Sequence, residues 1–107
     1  LLDYERCNYY RDYLGNLSIA AGAGAGVDAY FAWSLMDNFE WERGYVERFG
    51  TIFNDFGFGN DPNAAANQDS QPTTDQTRYR KDSSCWYEQV YTSNSLVDPA
   101  TFAGCSK

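Results

Sequence analysis

The chain has 107 residues, with 8 basic and 15 acidic side chains and a net charge of −7. This balance argues against nucleic-acid partners and against docking on an anionic membrane, because both require clustered Lys and Arg. No apolar run approaches the roughly 20 residues of a membrane span. The absence of His excludes Ser/His and Cys/His catalysis, and the three cysteines lack the spacing of a zinc site. We predict no metal and no cofactor.

The cysteines and one triplet bear on the cellular compartment. Cys85 and Cys105 can form a disulfide that leaves Cys7 free, or all three can remain thiols, and the sequence leaves both alternatives open. The triplet at residues 16–18, Asn-Leu-Ser, makes Asn16 a candidate for N-linked glycosylation, although such triplets also occur by chance. A secretory or organelle lumen therefore remains open as the compartment. The chain starts at a Leu without an initiator Met, which suggests a processed or partial product.

The first predicted element is a helix over residues 4–21. Apolar side chains recur there at steps of three and four residues, at Cys7, Tyr10, Leu14, Leu17 and Ala21. The Gly-Ala run at 20–26 is expected to end the helix, since glycine adopts the left-handed conformation of a C-cap. Its glycines faintly suggest a phosphate loop, but such a loop follows a strand and opens a helix, which is the reverse of the order here.

The next predicted element is a buried parallel strand over residues 27–35, VDAYFAWSL, which is almost continuously apolar. A polar and aromatic loop follows over 36–48, and a second extended segment is predicted over 49–56. Helix, turn and buried strand form one unit of an α/β fold. Because a lone strand leaves backbone groups unpaired on both edges, the pattern requires the rest of a larger sheet, from another segment or another chain.

The remaining residues combine a polar segment, a helix and a tail. Residues 57–77 are rich in small and polar residues and are predicted to be a surface loop or a disordered insertion. Asp82 is predicted to cap a closing helix that runs to about residue 91, with Trp86 and Val90 on one face. Residues 93–107 form a weakly patterned tail.

Residues 30–50, YFAWSLMDNFEWERGYVERFG, are the part of the sequence that indicates chemistry. They place Trp33 near the end of the predicted strand and Glu40 and Trp41 in the loop that follows. In a β/α barrel, ligand sites lie at the C-terminal ends of strands and in the loops after them. A carboxylate there can accept hydrogen bonds from neighbouring sugar hydroxyls, and indole rings can stack on the apolar faces of a sugar. The combination is typical of a pyranose-binding site.

This stretch resembles the last strand and following loop of family 1 glycoside hydrolases, which show YFAWSL-DNFEW and then GY and RFG in the same order. The flanks agree, because YYRDYL at 9–14 resembles the helix that precedes this strand in the family. RYRKDS at 78–83, followed by Trp86 and Tyr87, resembles the family ending RxPKxSxxWY. The resemblance covers about residues 3–91.

The resemblance implies an α/β fold in which this chain is the C-terminal portion of a (β/α)8 TIM barrel, incomplete by itself. Residues 1–92 would then belong to the barrel, with a surface-loop insertion at 57–77. Residues 93–107 would be a C-terminal tail.

The resemblance also implies four residues that bind sugar. Trp33 resembles the tryptophan that lines the glycone subsite, and Phe49 matches the aromatic residue that closes that side of the pocket. Glu40 resembles the glutamate that binds the hydroxyls at the far end of the glucose ring, and Trp41 resembles its sugar-contacting neighbour. The alternative for Trp33 and Phe49 is core packing. The alternative for Glu40 and Trp41 is a solvated carboxylate beside a packing indole.

The departures from the family pattern limit the implied activity. The catalytic glutamates of the family lie in TxNEP-type and TENG-type segments, and neither segment occurs in this chain. A retaining glycosidase needs two carboxyl groups about 5–5.5 Å apart, and Asp37 and Glu40 leave the same loop. We therefore predict no catalytic residue here and expect Asp37 and Asn38 to shape the loop through side chain to backbone hydrogen bonds. Arg80 replaces the proline of the family ending, and the 57–77 loop is longer than expected.

Three functions agree with these observations. In the first, the chain is a segment of a retaining β-glycosidase that supplies glycone recognition, with a β-glucoside-type sugar and the remainder of the barrel or other chains as partners. In the second, it is a non-catalytic structural or interaction subunit derived from a glycoside hydrolase. In the third, it is a lectin-like sugar binder.

Overall fold

The computed structural model describes residues 1–59 and 61–105. Their regular elements, in chain order, are helix α1 (Tyr4–Gly22), a 3-10 helix (Trp41–Arg43), strand β1 (Ile52–Asn54), helix α2 (Pro62–Ala66), strand β2 (Arg78–Arg80), helix α3 (Asp82–Ser93) and a second 3-10 helix (Pro99–Thr101). The chain divides into two compact units. The first consists of Leu1–Phe31 with the described part of Lys81–Lys107, and the second consists of Ala32–Arg80.

The core of the first unit lies between α1 and α3. Cys7 and Tyr10 of α1 are buried, and the ring of Tyr10 stacks on that of Trp86 with centroids 6.5 Å apart and planes 8° apart. Trp86 is completely buried, and its Nε1 donates to the carbonyl oxygen of Val97 at 3.0 Å. The predicted helix over residues 4–21 is confirmed, because α1 spans Tyr4–Gly22. Only the N-terminal part of its apolar stripe, Cys7 and Tyr10, is buried in this core, whereas Ala21 at the other end is exposed.

The start of α3 is held by the N-terminal segment of the chain. Asp82 is the first helical residue and not the cap, so the predicted cap is wrong; the capping position belongs to Lys81, whose side chain makes no capping bond. The carboxylate of Asp3 instead accepts from the backbone N of Ser83 at 2.8 Å and from the Ser83 hydroxyl. The carbonyl oxygen of Leu1 accepts from the backbone N of Asp82 at 2.8 Å. These bonds satisfy amide groups that a helix start leaves without intrahelical partners.

The cysteines of the first unit have two different states. Cys85 and Cys105 form a disulfide across 20 residues, with Cα atoms 5.3 Å apart. A closed loop of this length stabilises a fold by about 3 kcal/mol in the chain-entropy account. Cys7 is free and buried. Burial, followed by the negative charges of Asp3 and Asp82, raises the pKa of the Cys7 thiol to about 12. Cys7 therefore stays protonated near neutral pH and is a poor nucleophile.

The second unit contains an antiparallel pair of short strands. Ile52 of β1 lies opposite Arg80 of β2, and Asn54 lies opposite Arg78. Helix α2 lies in the connection between the strands, within the 57–77 segment that the sequence predicted as a loop or a disordered insertion. Its N-cap is Asp61, whose side chain accepts from the backbone N of Asn63 at 2.9 Å and from that of Ala64 at 3.2 Å. The segment is therefore partly helical.

The predicted buried strand over residues 27–35 is wrong, because this segment forms no regular strand. Backbone hydrogen bonding to the returning segment starts only at Ser34, whose backbone N donates to the Phe49 carbonyl oxygen at 3.1 Å. Met36 and Ile52 then form an isolated parallel bridge. A strand requires hydrogen-bonded neighbours along its length, and the described residues supply them only at this end. The segment is not buried either, since the side chains of Phe31, Trp33 and Leu35 are exposed.

Candidate functional site

The loop that follows the Met36–Ile52 bridge is anchored by Asp37, a residue only 1% exposed. Its Oδ1 accepts from the backbone N of Gly50 at 3.0 Å. Its Oδ2 accepts from the backbone N of Asn54 at 3.4 Å and from Nη1 of Arg48 at 3.3 Å. One carboxylate therefore joins the start of the loop to the segment that ends it.

Arg48 completes this anchor from the other side. Its guanidinium lies over the rings of Phe53 and Phe56, 4.9 and 4.7 Å from their centroids, in cation–π geometry. It also donates to the carbonyl oxygen of Asn54 at 2.7 Å. The sequence analysis did not identify Arg48, because no helix or strand period pairs it with Asp37 eleven positions earlier. The available signal was an arginine beside several aromatic residues.

Asn38 and Ser34 hold the inside of the turn. Nδ2 of Asn38 donates to the Ser34 hydroxyl at 3.2 Å and to the Met36 carbonyl at 3.1 Å. The Ser34 hydroxyl donates to the same carbonyl at 2.9 Å, and the peptide bond between Trp33 and Ser34 is cis. The expectation that Asp37 and Asn38 shape the loop through bonds to the backbone is confirmed.

Gly50 is the point where the loop and the returning segment come closest. A Cβ atom at this position would lie 2.0 Å from the backbone N of Asp37 and 2.2 Å from the carbonyl carbon of Met36. Both distances are far below van der Waals contact, and both neighbours are backbone atoms. The absence of a side chain at Gly50 therefore allows its backbone to lie against that of Met36 and Asp37. The hydrogen bond from Gly50 to the Asp37 carboxylate stabilises this contact.

Glu40 and Trp33 meet in the loop that this anchor holds. Nε1 of Trp33 donates to Oε1 of Glu40 at 3.4 Å, and Glu40 is 8% exposed. The backbone N of Glu40 donates to the carbonyl oxygen of Gly44 at 2.7 Å, which closes the turn around the first 3-10 helix. Within the described residues, Oε2 of Glu40 accepts no hydrogen bond. The structure thus brings together two of the four predicted sugar-binding residues and leaves one carboxylate oxygen with unused acceptor capacity.

The other two predicted residues, Trp41 and Phe49, both follow this pair in the sequence. Trp41 starts the 3-10 helix with a φ of 51° and is 76% exposed. Phe49 is 46% exposed, and its carbonyl oxygen fixes it to Ser34. Trp33 is 68% exposed, so neither indole is covered by the described part of the chain. The arrangement is thus a largely buried carboxylate hydrogen-bonded to one indole, with exposed aromatic side chains in the same stretch of chain.

The described residues were also compared with the requirements of a metal site and of a membrane-spanning helix. They contain no group of three Cys, Asp or Glu side chains that could hold a metal ion. Among the described helices, none is both long enough and apolar enough to cross a membrane.

Comparison with known proteins identifies the class. The sequence model of glycosyl hydrolase family 1 matches residues 1–96. Beta-glucosidase 44 of Arabidopsis thaliana is 40% identical over 89% of this chain and 15% of its own length. Beta-glucosidase 26 of Oryza sativa subsp. japonica is 38% identical over 85% of the chain and 14% of its own length. A chloroplastic 4-hydroxy-7-methoxy-3-oxo-3,4-dihydro-2H-1,4-benzoxazin-2-yl glucoside beta-D-glucosidase 2 of Zea mays is 35% identical over 94% of the chain and 16% of its own length.

These matches place the chain among the glycoside hydrolases. It belongs to glycosyl hydrolase family 1, a membership that implies a TIM barrel fold. The chain spans only 14–16% of the length of these three relatives. No solved structure shows a significant match.

Proposed function

We propose that this chain is the C-terminal segment of a (β/α)8 barrel and recognises the glycone of a β-glucoside, while the catalytic glutamates belong to a part of the barrel outside these 107 residues. The observation that carries the proposal is Glu40, a largely buried carboxylate with one oxygen on the indole of Trp33 and the other without a partner among the described residues. This second oxygen is not among the fully buried atoms that lack a partner, so a donor on a ligand can reach it. A sugar hydroxyl is a donor of suitable kind and size.

The aromatic residues near Glu40 supply the apolar half of the site. A pyranose presents C–H groups on its faces and hydroxyls at its rim, so it needs a flat apolar surface next to a polar acceptor. Trp33 already donates to Glu40, which orients the carboxylate and leaves the indole face exposed. Trp41 and Phe49 would contact the same ring from the turn and from the returning segment.

Three exposed apolar side chains support the barrel assignment. Phe31, Trp33 and Leu35 are close in the sequence and are 89%, 68% and 67% exposed. Large apolar side chains with such exposure commonly mark a surface that another protein surface covers. We assign Phe31 and Leu35 to contacts with the remainder of the barrel, whether it is part of the same polypeptide or a separate chain.

The substrate class follows from the relatives only in outline. The matching proteins are named as β-glucosidases, and one name specifies a benzoxazinone glucoside. The four residues proposed here to bind sugar would contact the glycone and not the aglycone. A glucose-like sugar in β-linkage is therefore the substrate feature that we propose for the assembled protein.

The test is the affinity of the native, assembled protein for a gluconolactone-type inhibitor, measured by calorimetric titration. Glu40→Ala should weaken binding at least tenfold, because a hydrogen bond to a charged acceptor contributes about 1.5–3 kcal/mol. Glu42→Ala is the matched control, since Glu42 lies two residues further, inside the 3-10 helix that Glu40 precedes, and is exposed. It should leave the affinity within about twofold.

Equal affinities for the wild type and the Glu40→Ala variant would remove Glu40 from the site. Binding that is undetectable in both would favour the alternative of a non-catalytic structural subunit. The mass of the intact native protein separates these cases independently. A species long enough for the complete barrel, or a stable complex with the missing part, is expected under the proposal.

A further inference from the structure

We infer that Asn16 is the acceptor of an N-linked glycan when this chain is made in the secretory pathway. The triplet Asn16-Leu17-Ser18 fits the acceptor pattern, since its middle residue is not proline. It is the only such triplet among the 107 residues. The inference is independent of the sugar-binding site, because it concerns a covalent sugar on the first unit.

The face of α1 that carries Asn16 is open. Cys7 and Tyr10 turn towards α3 and are buried, whereas Asn16 is exposed. Residues three and four positions away share a helix face with Asn16, and these neighbours, Asp12, Tyr13, Ile19 and Ala20, are all exposed as well. A glycan on this face would therefore extend into solvent without displacing a packed side chain.

The local hydrogen bonding of Asn16 is compatible with the modification. Nδ2 of Asn16 donates to the carbonyl oxygen of Asp12 at 2.8 Å. In the transfer, Nδ2 bonds to the anomeric carbon of an oligosaccharide, the bond from that carbon to a lipid diphosphate breaks, and Nδ2 loses one proton. One N–H remains and can still donate within the turn. The modified residue can therefore keep its place in α1.

A second feature of the same unit points to the compartment in which this transfer takes place. Cys85 and Cys105 are joined by a disulfide, and structural disulfides form in oxidising compartments such as the lumen of the endoplasmic reticulum. Ile19 gives the glycan a physical use, since this apolar side chain is 73% exposed and a bulky hydrophilic group on the same helix face would shield it.

The experiment directs the complete chain into the secretory pathway of a eukaryotic host with a cleavable leader and analyses the secreted product. Treatment with peptide N-glycosidase in heavy-oxygen water should abolish a glycan-dependent mass increment and leave a labelled aspartate at position 16. Asn16→Gln and Ser18→Ala should both lose the increment, and Ser18→Thr should keep it. Asn8→Gln, an exposed asparagine of the same helix outside any triplet, should keep it as the matched control.

Secreted wild-type chain with an unmodified Asn16 would overturn the inference. Since the product is collected after passage through the lumen, failure to reach the transferase cannot explain such a result. A glycan that persists in the Ser18→Ala variant would also overturn it, because the attachment would then lie elsewhere. In the same sample, Cys85 and Cys105 should fail to react with a thiol-alkylating reagent unless a reductant is added. This would confirm that the secreted chain contains the disulfide of the structure.

Discussion

Purified chain of 107 residues is expected to leave an aryl β-glucoside uncleaved. Retaining glycosidases need two carboxyl groups about 5–5.5 Å apart across the scissile bond. Asp37 cannot serve, because it is buried and its oxygens accept from Gly50, Asn54 and Arg48. Glu40 alone provides no acid/base partner. Loss of a catalytic set commonly lowers kcat by roughly 10⁶-fold. An assay that follows release of the aryl group should therefore detect no turnover.

The control is a complete family 1 β-glucosidase assayed at the same molar concentration, which shows that the substrate and conditions are adequate. A second preparation, Glu40→Gln, removes the charge of the remaining loop carboxylate. Turnover by the wild-type chain that survives this substitution would contradict the proposal that catalysis lies outside these residues. Activity that appears only after addition of the missing part of the barrel would support it.

Replacement of Asp37 by alanine should destabilise the second unit by roughly 3–4 kcal/mol. The substitution removes the hydrogen bond from the amide of Gly50 and the ion pair with Arg48, and breaking a buried ion pair costs about 3–5 kcal/mol. The lower part of that range applies because the Arg48 side chain is 31% exposed, whereas that of Asp37 is fully buried. Chemical denaturation of the complete chain, monitored through hydrogen exchange of the Gly50 and Asn54 amides, measures the effect.

Glu47→Ala is the matched control for this change. Glu47 also pairs with an arginine, at 2.7 Å from Nη2 of Arg43, but both partners are partly exposed. Such pairs contribute about 0.3–0.5 kcal/mol, so the variant should be almost as stable as the wild type. Comparable losses for Asp37→Ala and Glu47→Ala would show that burial of the Asp37 carboxylate is not what holds the loop.

Helices α1 and α3 could be predicted from the sequence because their signals are local. The apolar period placed α1 within one residue of its observed end, and the start of α3 was placed one residue too late, with Asp82 as its cap. The cap of α3 could not be predicted, since its acceptor is Asp3, 80 positions away. Helix α2 carried a usable signal that was not used, namely Asp61 at the N-cap followed by proline.

The strand over residues 27–35 shows the opposite limit. Its composition suits a strand buried on both faces, yet pairing depends on neighbours that the described residues provide only from Ser34 onward. The sequence placed Glu40 and Trp33 in one site through a family motif, and the structure brings these two side chains within hydrogen-bonding distance. Arg48 could not be paired with Asp37 in advance, because a loop has no period from which to read contacts.

The close approach at Gly50 has a consequence for how this region can diverge. Across the turn, aromatic and aliphatic positions can exchange for residues of similar shape, since exposed or half-buried side chains have room to adjust. Position 50 has no such latitude: even the single methyl group of alanine would overlap the backbone of Met36 and Asp37. In a related sequence, a residue other than glycine at position 50 would thus indicate that the backbone of the turn around Glu40 has a different conformation. This would hold even if the rest of the motif were unchanged.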